Sequence, residues 1–213
     1  MAVAGGDRDH PAKQRAEIEI AVELGVDAVG LVFYAPSVRS IGISDIEEIL
    51  PSELKGTKVV ALFVNPSREE VEAVLSSGRI DLLQFHGCEE PEFCESFGIP
   101  YLKAVGVEAA VDTEELEVSL HRYQSAHYFL LDTFDAQEHG GTGNSFDWRQ
   151  ASALSAEVKQ KMILAGGLNP QNVGDAINRV KPFGVDVSSG IEAAKGRKDI
   201  IKMKQFFEGV RRA

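Results

Sequence analysis

Cysteine is scarce in this chain: Cys88 and Cys94 are the only two among 213 residues. They lie six positions apart on a segment that reads as loop and helix, so a disulfide-stapled secreted fold is excluded and two reduced thiols are expected. There is no CxxC pair and no HExxH, which removes the common sequence signs of a metal site. No apolar stretch near the start is long enough for a signal peptide, and none approaches the about 18 residues that a membrane helix requires. A cytoplasmic protein with no membrane partner is therefore expected. Positive charge is also short, with Lys and Arg totalling 22 against 33 Asp and Glu, a net charge of -11. Non-specific nucleic-acid binding is thereby disfavoured, since phosphate backbones would be repelled. A single phosphate group is still bindable where backbone amides supply the donors.

What the chain does contain is an alternation. Short apolar runs occupy Val26–Phe33, Lys58–Val64, Ile80–Phe85, Tyr101–Val105, His127–Asp132, Met162–Ala165 and Phe183–Val187. Most are nearly continuously apolar, as parallel strands buried on both faces are. Helical patterns fill the gaps at Ala12–Leu24, Arg68–Ser76, Glu90–Phe97, Asn172–Val180 and Asp199–Val210. Asn65-Pro66-Ser67 and Asn169-Pro170 read as helix starts. Strict alternation predicts right-handed crossovers and a parallel sheet, either open or closed. With an eighth run at Met1–Ala4, the count matches a compact (β/α)8 barrel, one domain over residues 1–213. The first strand is the irregular one, because Gly5-Gly6 follows it at once; either a minimal strand closes the barrel there or the start is missing or unusual.

In such barrels ligands sit at the C-terminal ends of the strands. The polar residues there are Tyr34, Ser37 and Arg39 after the second run, Gln84, His86 and Gly87 at the fourth, and Asp132 with Gly140-Gly141-Thr142-Gly143 at the sixth. Gly166-Gly167 follow the seventh run and Ser188-Ser189-Gly190 the eighth. The last two groups together point to a phosphate cradle, because glycine lets amides approach an anion closely; the alternative is two tight turns. A half-buried carboxyl at Asp132 suits general acid work, with a helix cap or loop partner as the alternative. Arg39 could grip a carboxylate through two parallel hydrogen bonds, or be a solvated loop arginine. His86 either positions a substrate or is a hydrogen-bonded loop histidine.

Several stretches, in order, resemble the phosphoribosylanthranilate isomerase family. They include the run from Gly25 to Tyr34, Ser37 to Arg39, Val60 to Asn65, Leu83 to Gly87, and Leu130-Leu131-Asp132. Gly140 to Gly143 with Phe146-Asp147-Trp148, Leu164 to Leu168, and Gly184 to Glu192 complete the set. The resemblance implies an Amadori rearrangement of N-(5′-phosphoribosyl)anthranilate in tryptophan biosynthesis, with no metal or organic cofactor. It implies Asp132 as general acid and Arg39 at the anthranilate moiety, with Gln84, His86, Gly141 and Gly143 also at the substrate. Gly166, Gly167, Asp186, Ser188, Ser189 and Gly190 would form the phosphate site. The expected partner is a small phosphosugar, and the assembly a monomer or a homodimer.

One departure stands out. The family holds its general base as a cysteine in a Lys-Ile-Cys-Gly-Ile-Thr stretch ending strand one, and this chain has none. A gapless extension back from Gly25 puts His10 there, in Arg8-Asp9-His10-Pro11. Three readings follow: His10 is the base, the first strand is rearranged and activity is weakened, or the barrel and phosphate site serve another purpose. A different phosphosugar isomerase is the further alternative, and the Arg39 loop and the Gly140–Gly143 segment argue against it.

Overall fold

In the computed structural model, which describes residues 2–4, 11–107, 113–133 and 148–213, eight parallel strands close into a barrel in chain order. They are β1 (Ala2–Ala4), β2 (Ala28–Val32), β3 (Lys58–Phe63), β4 (Leu82–Phe85), β5 (Tyr101–Val107), β6 (Tyr128–Thr133), β7 (Met162–Leu164) and β8 (Gly184–Val187). Short as it is, β1 closes the ring: Ala4 lies opposite Gly30 of β2, and Ala2 opposite Asp186 of β8.

Partners in a parallel ladder share a face of the sheet, so register sorts side chains into an inner and an outer set. Ala104, Leu130 and Ala165, with Ile163 against them, form a small cluster inside the barrel. Their neighbours in sequence, such as Leu131 and Leu164, belong to the larger core between sheet and helices. That division explains why the runs read as continuously apolar rather than alternating: both faces are buried.

The crossover helices are α1 (Pro11–Leu24), α2 (Ile46–Ile49), α3 (Arg68–Leu75), α4 (Pro91–Glu95), α5 (Thr113–His121), α6 (Trp148–Ala153), α7 (Ala156–Lys159), α8 (Val173–Val180) and, after the last strand, α9 (Ile200–Arg212). The Asn65-Pro66-Ser67 signal acts as expected: the Ser67 hydroxyl accepts from the Glu70 amide at 3.2 Å, and Glu70 accepts from the Ser67 amide at 2.7 Å. Asn169-Pro170 instead opens a turn, in which the Asn172 side chain accepts from the Asn169 amide at 2.8 Å, and α8 begins at Val173. Sequence periodicity had given no sign of α2, α5, α6 or α7. Three of these are at most six residues long, too short for a helical period to register. Beyond β8 a hairpin of β9 (Glu192–Ala194) and β10 (Arg197–Lys198) was equally unannounced, and its turn depends on Gly196 at φ 80°.

Candidate active site

Asp132 lies on the inner face of β6, two positions beyond Leu130, and Asp186 on the inner face of β8, two beyond Gly184. Leu131 pairs with Leu164, and Leu164 with Val185. The next residue on each strand therefore forms one row across the mouth: Asp132, Ala165, Asp186. Gly106 of β5 precedes Asp132 in that row, so small residues flank the acid on both sides and leave room in front of it. His86 follows β4, its ring Nε2 3.6 Å from Asp132 Oδ2. Gln84, one row deeper on β4, is buried at the same end. The structure thus brings together Gln84, His86, Asp132 and Asp186, drawn from three strands. Asp186 sits within its strand and not among the turn residues that follow it.

Behind His86 lies a buried pair. Lys103, on the outer face of β5, reaches Glu89 Oε2 at 2.9 Å and donates to the Gly87 carbonyl at 2.5 Å. Glu89 also accepts from the amides of Asn65 at 2.7 Å and Gly87 at 3.0 Å. One carboxylate thereby ties the turns after β3 and β4 to β5, fixing the segment that carries His86.

Arg39 follows β2 in a turn stitched back to the strand by Ile41 N–H donating to the Val32 carbonyl at 2.9 Å. It does grip a carboxylate through two parallel bonds, and that carboxylate belongs to the protein: Nε donates to Glu192 Oε1 at 2.7 Å and Nη2 to Oε2 at 2.8 Å. Lys198 adds a third cationic contact to Glu192 at 3.1 Å and donates to the Ser188 carbonyl at 3.0 Å. Burial alone would raise the Glu192 pKa. The Arg39 hydrogen bonds and the charges of Lys198 and Arg39 outweigh it and hold the carboxyl below its ordinary 4.5. Glu192 and Lys198 had no assigned role in the sequence. The signal available was a carboxylate within the quoted Gly184 to Glu192 stretch, which nothing local connects to Arg39.

The two glycine turns meet. Gly166 and Gly167 have φ of 77° and 66°, a region L side chains rarely enter. The Gly167 carbonyl is held by the side-chain amides of Asn169 at 3.3 Å and Asn172 at 3.0 Å. Ser189–Ile191 forms one 3-10 turn directly after β8. A Cβ on Gly190 would lie 1.8 Å from the Leu168 carbonyl oxygen, so only glycine lets this turn rest on the one after β7. Gly166, Gly167, Ser188, Ser189 and Gly190 are thus gathered at one side of the mouth.

Strand β1 ends at Ala4 and α1 starts at Pro11. His10 lies outside the described residues, as do Gly141 and Gly143. Among the described residues there is no group of three or more His, Cys, Asp or Glu that could hold a metal ion, and no helix is long and apolar enough to cross a membrane.

A closed ring of eight parallel strands, with its polar residues collected at the strands' C-terminal ends, defines a (β/α)8-barrel protein. A family model described as N-(5'phosphoribosyl)anthranilate (PRA) isomerase matches residues 8–209. The N-(5'-phosphoribosyl)anthranilate isomerase of Pseudomonas putida is 44% identical over 193 residues, 91% of each chain. A crystal structure of phosphoribosyl anthranilate isomerase from Thermotoga maritima matches with a TM-score of 0.82 at 34% identity, covering 100% of this chain and 98% of that one. A further solved isomerase, in complex with reduced 1-(o-carboxyphenylamino)-1-deoxyribulose 5-phosphate, matches with a TM-score of 0.76 at 32% identity over 100% and 98% of the two chains. The chain belongs to the N-(5'-phosphoribosyl)anthranilate isomerase family.

Proposed function

We propose that this chain is the isomerase of tryptophan biosynthesis that converts N-(5′-phosphoribosyl)anthranilate into 1-(2-carboxyphenylamino)-1-deoxyribulose 5-phosphate, acting as one cytoplasmic barrel domain without metal or cofactor. The observation that carries the reading is the half-buried Asp132 at the mouth, with His86 beside it at 3.6 Å and a pair of glycine turns on the same rim. Asp132 protonates the furanose ring oxygen, and the anthranilate nitrogen supplies the electrons that open the ring to a Schiff base. Loss of the C2′ proton then gives an enolamine, which tautomerises to the ketone. His86 orients the Asp132 carboxyl. The amides of Gly166, Gly167, Ser189 and Gly190 take the phosphate, an arrangement that needs no net positive charge.

Arg39 meets the anthranilate carboxylate. Glu192 occupies its Nε and Nη2, so the substrate is met by Nη1 of a guanidinium already fixed in its plane. The assembly is a monomer or a homodimer. The test is a fluorescence assay that follows consumption of freshly prepared phosphoribosylanthranilate. Turnover is expected; its absence, with the reduced product still bound, would leave a phosphate-binding barrel and overturn the reading.

A further inference from the structure

The rearrangement needs a base as well as an acid, and the two must reach different atoms. The ring oxygen and C2′ both flank C1′, so a base has to stand across the sugar from Asp132. On the inner face of the described strands, ionisable groups are few. Lys58 and Tyr128 share that face, but each opens its strand, at the far end of the barrel from the mouth. At the mouth there remain Asp132 and Asp186, with His86 just past β4 and already against Asp132.

Asp186 has the placement a base requires. It lies in the same row as Asp132, separated by Ala165 alone, and adjacent strands stand about 4.8 Å apart, so the two α-carbons are about 9–10 Å apart along the sheet. Both side chains lean toward the axis, and Ala165 leaves the space between them open. On β8's other flank its register partner is Ala2. A role as phosphate ligand suits Asp186 poorly, because a carboxylate repels a phosphate dianion and the turn amides lie beyond the strand's end.

Resting on the isomerase reading, we propose that Asp186 is the catalytic base that removes the C2′ proton, working from the next strand but one to Asp132. Asp132 gives its proton to the ring oxygen as the C1′–O bond breaks and the nitrogen lone pair forms C1′=N⁺. Asp186 takes the C2′ proton; that bond pair becomes C1′=C2′, and the C=N π pair returns to nitrogen. Asp186 then protonates C1′ while Asp132 recovers the enol proton, which leaves the ketone and both carboxyls as they began. No oxidant or reductant is required.

The electrostatics agree with this placement. Burial, and then the charge of Asp132, push the Asp186 carboxyl from 3.8 up to about 7, opposed by Lys198 from the β9–β10 hairpin. A base titrating near neutrality accepts a proton from carbon more effectively than an ordinary carboxylate.

The experiment compares the unaltered chain with Asp186→Asn in the fluorescence assay, alongside binding of the reduced product measured by calorimetry. Asp186→Asn is expected to lower kcat by about 10²–10⁴-fold with product affinity within about threefold. Added formate, a small carboxylate able to enter the space vacated, restores part of the rate. Turnover in Asp186→Asn close to that of the unaltered chain would overturn the proposal and return the base to His10 or His86. Equal loss of binding and rate, without rescue by formate, would overturn it in favour of a positioning role. No turnover in the unaltered chain is the separate failure, that of the isomerase reading, and the proposed base falls with it.

Discussion

Arg39 and Glu192, 153 positions apart in the chain, hold each other through two parallel hydrogen bonds of 2.7 and 2.8 Å with both side chains buried. The pair joins the turn after β2 to the segment after β8, two strands that touch only through the short β1 between them. Lys198 makes the cluster cationic on two sides of one carboxylate. Replacing Glu192 by Gln keeps its shape but leaves two buried cations facing a neutral amide. Removing one member of a buried ion pair costs about 3–5 kcal/mol. The urea midpoint of Glu192→Gln is therefore expected to drop clearly. Its KM should rise more than its kcat falls, because Arg39 loses the partner that fixes its plane. An unchanged midpoint would count against the cluster's structural role.

The same carboxylate sets a pH dependence. Its folded pKa lies below the ordinary 4.5, so its ionised form is favoured in the folded state. The resulting stability is complete above pH 4.5 and is lost as pH falls from there through the lower folded value. Urea titrations at stepped pH should show that acid limb in the unaltered chain and a shallower one in Glu192→Gln. Parallel limbs in the two proteins would assign the acid sensitivity to other carboxylates.

The barrel was legible in the sequence because its strands are buried on both faces and its ligand-bearing ends are punctuated by glycine. Asp132, Gly166, Gly167 and Ser188 to Gly190 could each be placed by counting past an apolar run. The sequence shows neighbours along the chain but not faces. Asp186 therefore read as part of the Ser188 turn, whereas its strand turns it inward to the row of Asp132. Arg39 shows the same limit from the other side: two parallel bonds to a carboxylate were foreseeable from the guanidinium's shape, but not the identity of that carboxylate. Glu192 reaches it only after the ring has closed. Helices as short as α2 and α7 left no period to detect, and the β9–β10 hairpin has no apolar alternation to reveal it.

Gly190 offers a test of how the two rim turns depend on each other. A methyl group there would lie 1.8 Å from the Leu168 carbonyl oxygen and 2.8 Å from its carbon, both backbone atoms that cannot swing aside. Gly190→Ala must push the turn after β8 away from the turn after β7. Affinity for inorganic phosphate or the reduced product should fall by at least about tenfold, equivalent to about 1.4 kcal/mol, while far-UV circular dichroism stays that of the unaltered barrel. Full affinity in this variant would show that the anion does not depend on both turns together.

The two thiols give a last, inexpensive check on the packing of sheet against helices. Cys94 is fully buried on α4, and burial, against the opposing charge of Lys103, pushes its thiol up to about 12. Cys88 is exposed in the turn after β4. Only the thiolate attacks a disulfide reagent, and the reagent must also reach it. A chromogenic disulfide at neutral pH should therefore titrate one thiol per native chain and two after unfolding, with the second appearing at the rate of unfolding. Two equivalents reacting at once in the native protein would mean that α4 opens far more readily than the packing of its Phe93 ring on Phe85 implies.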